Sequence, residues 1–414
     1  MKKLFALLLA SVMVLGLFAG CGKEEAPAAD GSAAVNGAET AAKDVKVGFI
    51  CLHDENSTYD KNFIDAVMAV KESMGLRDDQ IIFKKNIPES NDCYEAAADL
   101  ADRGCDIVFA DSFGHESYMA QAAQEFPEVQ FCHATGTTAH TAGIPNLHNA
   151  FASIYEGRYL AGIAAGLKLN EMIEDGQFTA EEAKIGYVGA FTYAEVISGY
   201  TAFFLGARSV CPTVTMDVQF TGSWYDETAE KEAANQLIQK GAKLISQHAD
   251  SMGAPTACET AGVPNISYNG STIEGCPNTF IVSSRINWAP YFRYMIECVM
   301  NGEEIATDWC GGTAEGSVEL SAVNEKVAAA GTEEALKAAA EKLASGELHV
   351  FDTATFTVNG ETLTSYMADV DTDAEYVHDT EAISDGYFHE SEYRAAPYFD
   401  LMIDGITTLN KNFG

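Results

Sequence analysis

From residue 45 the chain alternates short β-rich runs with helical stretches, and this alternation restricts the fold more than any other feature. Val47–Leu52 reads as a buried strand, and Tyr59–Met74 as a helix with Phe63, Val67, Val70 and Met74 on one stripe. Ile81–Lys85 is a strand, and Ser90 caps a helix that runs to Arg103 and is stopped by Gly104. Asp106–Ala110, the helix His115–Phe126 and the strand Val129–His133 continue the rhythm. Strand, helix, strand at this spacing requires parallel strands joined by crossovers, and hence a sheet with helices on its faces.

The rhythm then restarts. A long helix from Tyr155 to about Met172 leads to the strand Ile185–Val188, a helix from about Ala194 to Ser209 and the strand Thr215–Phe220. Helix Asp226–Lys240 ends at Gly241, followed by strand Lys243–Gln247, helix Ala254–Ala261 and strands Asn265–Tyr268 and Thr279–Val282. The economical reading is α/β: two doubly wound, Rossmann-like lobes in tandem. Beyond residue 283 the pattern predicts helices at Trp288–Met300 and Thr332–Ala344, strands within Val350–Val358 and a helical tail from about Ser391 to Leu409. These late pieces complete both lobes, so the chain crosses between them more than once. The expected division is 45–152 with about 284–330 in one lobe, and 153–283 with about 331–414 in the other.

The N-terminus has a different character. Lys2 and Lys3 precede an apolar run from Leu4 to Phe18 that is too short for a spanning helix of about 20 residues and suits a signal peptide. It ends in Leu17-Phe18-Ala19-Gly20-Cys21, a block similar to the lipobox of bacterial lipoproteins, in which Cys21 is lipidated and becomes the mature N-terminus. Residues 1–20 are thus expected to be removed, and residues 21–44, rich in Ala, Gly and acids, to form a flexible tether. The expected location is the outer face of the cytoplasmic membrane.

Acids outnumber bases 61 to 25, for a net charge of −36, which excludes a protein built to neutralise nucleic-acid phosphates. The same field repels anionic lipid, so membrane contact depends on the Cys21 anchor. Of ten cysteines, nine remain beside Cys21, with no C-x-x-C and no metal-type spacing. Cys51 and Cys132 sit inside apolar strand runs, where cysteine behaves as a small buried hydrophobe. Mostly free thiols are expected.

No P-loop, no zincin helix and no nucleophile elbow is present, so no catalytic residue, cofactor or metal is assigned. Asp369-Val370-Asp371-Thr372-Asp373 begins like a calcium loop, but Ala374 and Thr380 stand where that loop needs Gly and Glu; it reads as a solvated acidic loop.

The informative residues follow the strand ends, where open parallel sheets bind ligands. They are His53 to Tyr59, Asp111-Ser112-Phe113-Gly114 and Ala134-Thr135-Gly136 in the first half. In the second half they are Ala190-Phe191-Thr192-Tyr193, Gly222 to Asp226, His248-Ala249-Asp250-Ser251 and Asn269-Gly270-Ser271.

Asp111-Ser112-Phe113-Gly114, His133-Ala134-Thr135-Gly136, Tyr155-Glu156-Gly157-Arg158-Tyr159-Leu160-Ala161-Gly162, Glu195-Val196-Ile197 with Leu205-Gly206-Ala207-Arg208-Ser209, Ser223-Trp224-Tyr225-Asp226, Gln247-His248-Ala249-Asp250-Ser251, Asn287-Trp288-Ala289-Pro290-Tyr291 and Asp308-Trp309-Cys310-Gly311-Gly312 resemble the basic membrane protein family of substrate-binding lipoproteins. The resemblance runs in order from about residue 45 to 355. It implies a type I periplasmic-binding fold, partnership with the permease and ATPase subunits of an ABC importer, and a purine base or nucleoside as ligand. Phe191 and Trp224 would be stacking platforms and Asp250 the polar anchor. Asp54, Tyr59, Ser112, Phe113 and Asn269 would line the opposite wall and rim, with Trp288 either wall or core. Three departures stand out. Ser57 occupies a position where related members carry tryptophan. Gly270 and Ile286 replace the aspartate and lysine associated with ribose. An enzyme on the same fold, a module feeding a sensor and a member retuned to a non-purine ligand remain open alternatives.

Overall fold

A computed structural model describes residues 44–371, 373, 375–411 and 413; the signal segment, Cys21 and the tether up to residue 43 lie outside the described residues. Six strands form the first sheet: β1 (Val47–Ile50), β2 (Ile81–Lys84), β3 (Ile107–Ala110), β4 (Gln130–Ala134), β5 (Leu147–Ala152) and, from much later in the chain, Asp308–Gly311. Every pairing in it is parallel, with β1 between β2 and β3. The interior strands β1, β3 and β5 are buried along their length, as expected of strands covered on both faces.

The second sheet repeats the plan. Strands β6 (Lys184–Gly189), β7 (Thr215–Phe220), β8 (Leu244–His248), β9 (Asn265–Tyr268) and β10 (Phe280–Ile286) run parallel, with β6 between β7 and β8. With Asp308–Gly311 as β11, the strand Val318–Leu320 is β12, and it closes one edge antiparallel to β10. The strand Ile406–Thr408 closes the other edge, parallel to β7. In each sheet the order reverses at one place, between β1 and β3 and between β6 and β8. A reversal leaves a crevice beyond the carboxyl ends of the strands, because the flanking crossovers depart to opposite faces.

Caps mark the helix ends. Ser57 accepts from the Asp60 amide at the start of helix Thr58–Met74, and Gly75 ends it at φ 68°. Ser90 does the same for helix Asn91–Asp102. The largest core lies in the second lobe, where helices Ile154–Glu174 and Ala194–Val210 cross at glycines. A Cβ at Gly162 would fall 2.0 Å from the Phe203 carbonyl oxygen, and one at Gly206 would fall 2.0 Å from that of Tyr159. Backbone meets backbone there.

The chain passes between lobes at Ser153, at Asn287 and in the turn that joins β11 to β12. These crossings bond to one another: Ser153 N–H donates to Gly311 O at 3.0 Å, and Asn287 N–H donates to Ser317 O at 2.8 Å. Since β12 belongs to the second sheet, the return to that lobe falls near residue 312 and not near 330.

Two expectations fail beyond residue 345. Val350–Val358 is irregular and holds only isolated bridges at Asp352 and Val358. The tail from Ser391 is not helical. Ser391 sits at φ 60° and Gly405 at φ 101°, and Pro397 lacks an amide hydrogen. Strands β5, β11 and β12 were not foreseen. All nine described cysteines are free, eight of them buried.

Candidate functional site

The two crevices face each other, and a cavity of about 200 Å³ lies between them. Its wall takes Leu52, His53 and Tyr59 from the end of β1 and the helix that follows, Ser112 and Phe113 from the end of β3, and Thr135 and Thr137 after β4. From the second lobe come Tyr193 and Glu195 after β6, Trp224 after β7, His248 and Asp250 at the end of β8, and Tyr268 at the end of β9. Arg394, Ala396 and Pro397 of the tail complete it.

Of the residues singled out from sequence, the structure brings Tyr59, Ser112, Phe113, Trp224 and Asp250 together on this wall. Phe191 stands behind it, stacked on Tyr193 at 5.1 Å and edge-on to Trp224 at 4.9 Å, so it fixes the platform without lining the cavity. Asn269, held at φ 63°, has its amide 3.4 Å from Asp250 Oδ1 and also supports from behind. Asp54 is outside the cavity, turned to the Asn56 amide at 3.0 Å. Trp288 is core. It is 1% exposed and stacks on Phe63 with ring centroids 4.5 Å apart, because the helix it precedes packs against Thr58–Met74.

The aromatic surface spans both lobes. Phe113 approaches Tyr193 at 5.3 Å, and His53 approaches Tyr225 at 5.4 Å. Tyr59 donates its hydroxyl to Asp111 O at 2.7 Å, which fixes the ring at the wall. Main-chain bonds also bridge the cleft: the Thr58 amide and its Oγ1 both donate to Asp250 O at 3.1 Å.

Acid groups crowd the cavity floor. Burial pushes the Asp250 carboxyl well up, and the charges of Glu230, Asp60 and Glu195 add to the effect. Beneath the first wall, burial likewise raises Asp111, helped by the neighbouring Asp60 charge. Asp60 is held low despite its burial, because His53 and Ser57 hydrogen-bond to it. His248 Nε2 lies 2.8 Å from Glu195 Oε1, and Tyr268 donates to the same oxygen at 3.5 Å. Under this group lies a fully buried cation, Arg158, which donates to Gln247 O at 3.0 Å and sits 4.7 Å from the Tyr268 ring centre. A site of this kind can sandwich a flat heterocycle and offer carboxyls to its N–H groups.

The three departures acquire structural reasons. Ser57 is a helix cap, fully buried. Ile286 is 1% exposed within the first-lobe core. Gly270 abuts Thr58, so that a Cβ added there would lie 3.3 Å from the threonine methyl.

Sheets of this order, opposed across a cleft, are those of the periplasmic-binding fold. A solute-binding protein of Conexibacter woesei superposes with a TM-score of 0.59, over 74% of this chain and 98% of that one, at 21% identity. Residues 45–352 match the Bmp family, described as ABC transporter substrate-binding protein PnrA-like, and the chain belongs to that family. It is similar to a purine-binding protein of Brucella abortus, 30% identical over 69% of this chain and 77% of that protein. It is also 33% identical, over 51% of this chain and half of the relative, to a Haloferax volcanii protein whose name assigns it provisionally to glucose binding in an ABC transporter.

Proposed function

We propose that the chain is the lipid-anchored receptor of an ABC importer and captures a purine, as free base rather than nucleoside, between its lobes. The observation that carries this reading is the cavity itself, in which the Trp224 ring and the Tyr59, Phe113 and Tyr193 rings share one wall with the Asp250 carboxyl. A purine has two π-faces and an edge of N–H donors. Stacking contributes roughly 1–3 kcal/mol per base, and a water-poor cleft strengthens each hydrogen bond to the ring edge. The similarity to a purine-binding relative supports the same ligand class.

Size and shape favour the base. At about 200 Å³ the cavity is below the ~300–1,000 Å³ usual for drug-sized ligands. Gly270 stands where the resemblance expects a ribose-binding aspartate, and a Cβ there would press on the Thr58 methyl at 3.3 Å. Anchoring through Cys21 is supported by the Leu17–Cys21 block, and export by the extracytoplasmic station of this family. Among the described residues no helix is long and apolar enough to cross a membrane.

Calorimetric titration with adenine, hypoxanthine, their nucleosides and glucose tests the proposal. Free bases should bind at least as tightly as nucleosides, and Trp224→Ala should weaken them by ~5- to 150-fold. Tight binding of glucose with no purine binding would overturn it.

A further inference from the structure

The tail beyond residue 352 lies outside the family-matched span, yet it walls the ligand cavity. It is held there from both sides. The Ala395 amide donates to Asp308 Oδ2 of the first lobe at 2.6 Å. The amides of Tyr398 and Phe399 donate to Glu390 Oε2 at 3.3 and 2.9 Å, and Tyr155 of the second lobe donates its hydroxyl to Glu390 O at 3.1 Å. Phe399 stacks on Phe351 at 4.3 Å. This segment therefore presents Arg394 to the cavity from a fixed backbone.

Among the described residues Arg394 is the sole lysine or arginine on the cavity wall. Its guanidinium donates to main-chain carbonyls alone, Nε to Ala396 at 3.3 Å and the terminal nitrogens to Asp369 at 3.3 Å and Pro397 at 3.4 Å. These are long bonds, and they use three of its five N–H groups. Its charge also acts on the buried Glu390 and Asp308 carboxyls, and its guanidinium carbon sits 5.8 Å from the Tyr398 ring centre. The carboxyls of the wall, Glu195 and Asp250, offer acceptors, beside hydroxyl and imidazole groups that can donate or accept. Arg394 supplies the complementary donor.

We propose that Arg394 reads the ligand's acceptor edge, so that the site selects 6-oxopurines over 6-aminopurines. The inference rests on the purine reading above. A guanidinium fork matches the O6 and N7 acceptors of a 6-oxopurine, the geometry by which arginine picks out guanine in DNA. Adenine places its N6 amine there and sets N–H against N–H. The N1–H of a 6-oxopurine is left for a carboxyl such as that of Asp250.

Calorimetry with hypoxanthine and adenine on the full chain, as wild type, Arg394→Ala and Arg394→Lys, decides the matter. The wild type should prefer hypoxanthine. Arg394→Ala should lower hypoxanthine affinity about 10- to 100-fold and leave adenine within about threefold, since one charge-assisted pair is lost. Arg394→Lys should recover part of the hypoxanthine affinity, as a single-point donor does. Retained adenine binding shows that each variant is folded. Equal losses for both purines would make Arg394 a support for the strap and overturn the proposal, as would a wild type that prefers adenine. A wild type that binds neither purine overturns the purine reading itself, and this inference with it.

Discussion

Glu390 shows how much a single side chain can cost where the chain doubles back. It is 1% exposed, and burial raises its pKa from the ordinary 4.5 to about 8. The native state therefore keeps a proton that the unfolded chain has released, so stability is fullest below pH 4.5 and declines as pH rises toward 8. Glu390→Gln, a neutral isostere, should match the parent near pH 4 and exceed it by ~1 kcal/mol or more at pH 8.5 in urea unfolding. Parallel pH profiles for the two proteins would show that Glu390 is charged in the fold. The site residues teach a related lesson about sequence. The blocks after the strand ends are the right ones, but the member of each that faces the cavity is set by turn geometry. Tyr193, and not Phe191, lines the wall, and Asp54 turns away to bond its own loop. Arg394 gave no local signal at all.

At the level of elements, the doubly wound pattern up to residue 283 is readable because most strands are short apolar runs and three of the helices carry a side-chain cap at Ser57, Ser90 or Asp226. Strand β5 hides because Leu-His-Asn-Ala-Phe-Ala lacks β-branched residues; its His148 is satisfied by Gln130 at 2.8 Å and Ala306 at 3.2 Å, partners distant in sequence. The tail misleads for the same reason. Its amides are met by the Asp308 and Glu390 carboxyl groups and not by neighbouring turns, which no periodicity reveals. The crossing of helices Ile154–Glu174 and Ala194–Val210 is equally silent, since small residues alone do not announce their partner. It makes a sharp prediction. Gly206→Val places a side chain where the Tyr159 carbonyl oxygen stands 2.0 Å from a Cβ, so the helices must part. The expected loss is about 3 kcal/mol, at the upper end of overpacking effects, read as a lower urea midpoint. An unchanged midpoint would mean that the crossing is looser than described.

For the whole molecule, the three crossings with their mutual bonds form a hinge on one side of the cleft, while Thr58 and Ala395 make the contacts that bridge it. Two lobes joined in this way are expected to open and close around a ligand as near-rigid bodies. Thr58 matters most here, because its bonds to Asp250 O join the lobes beside the residue proposed to hold the ligand. Considered as a clock rather than a scaffold, this contact sets how long cargo stays aboard. Entry needs only an open cleft, whereas exit must first break the bridge, so changes here belong to the dissociation rate. Thr58→Val keeps the shape and removes the Oγ1 bond. It should quicken hypoxanthine release several-fold in stopped-flow fluorescence and leave the association rate nearly unchanged. An importer that pulls the lobes apart would do by force what that substitution does by chemistry.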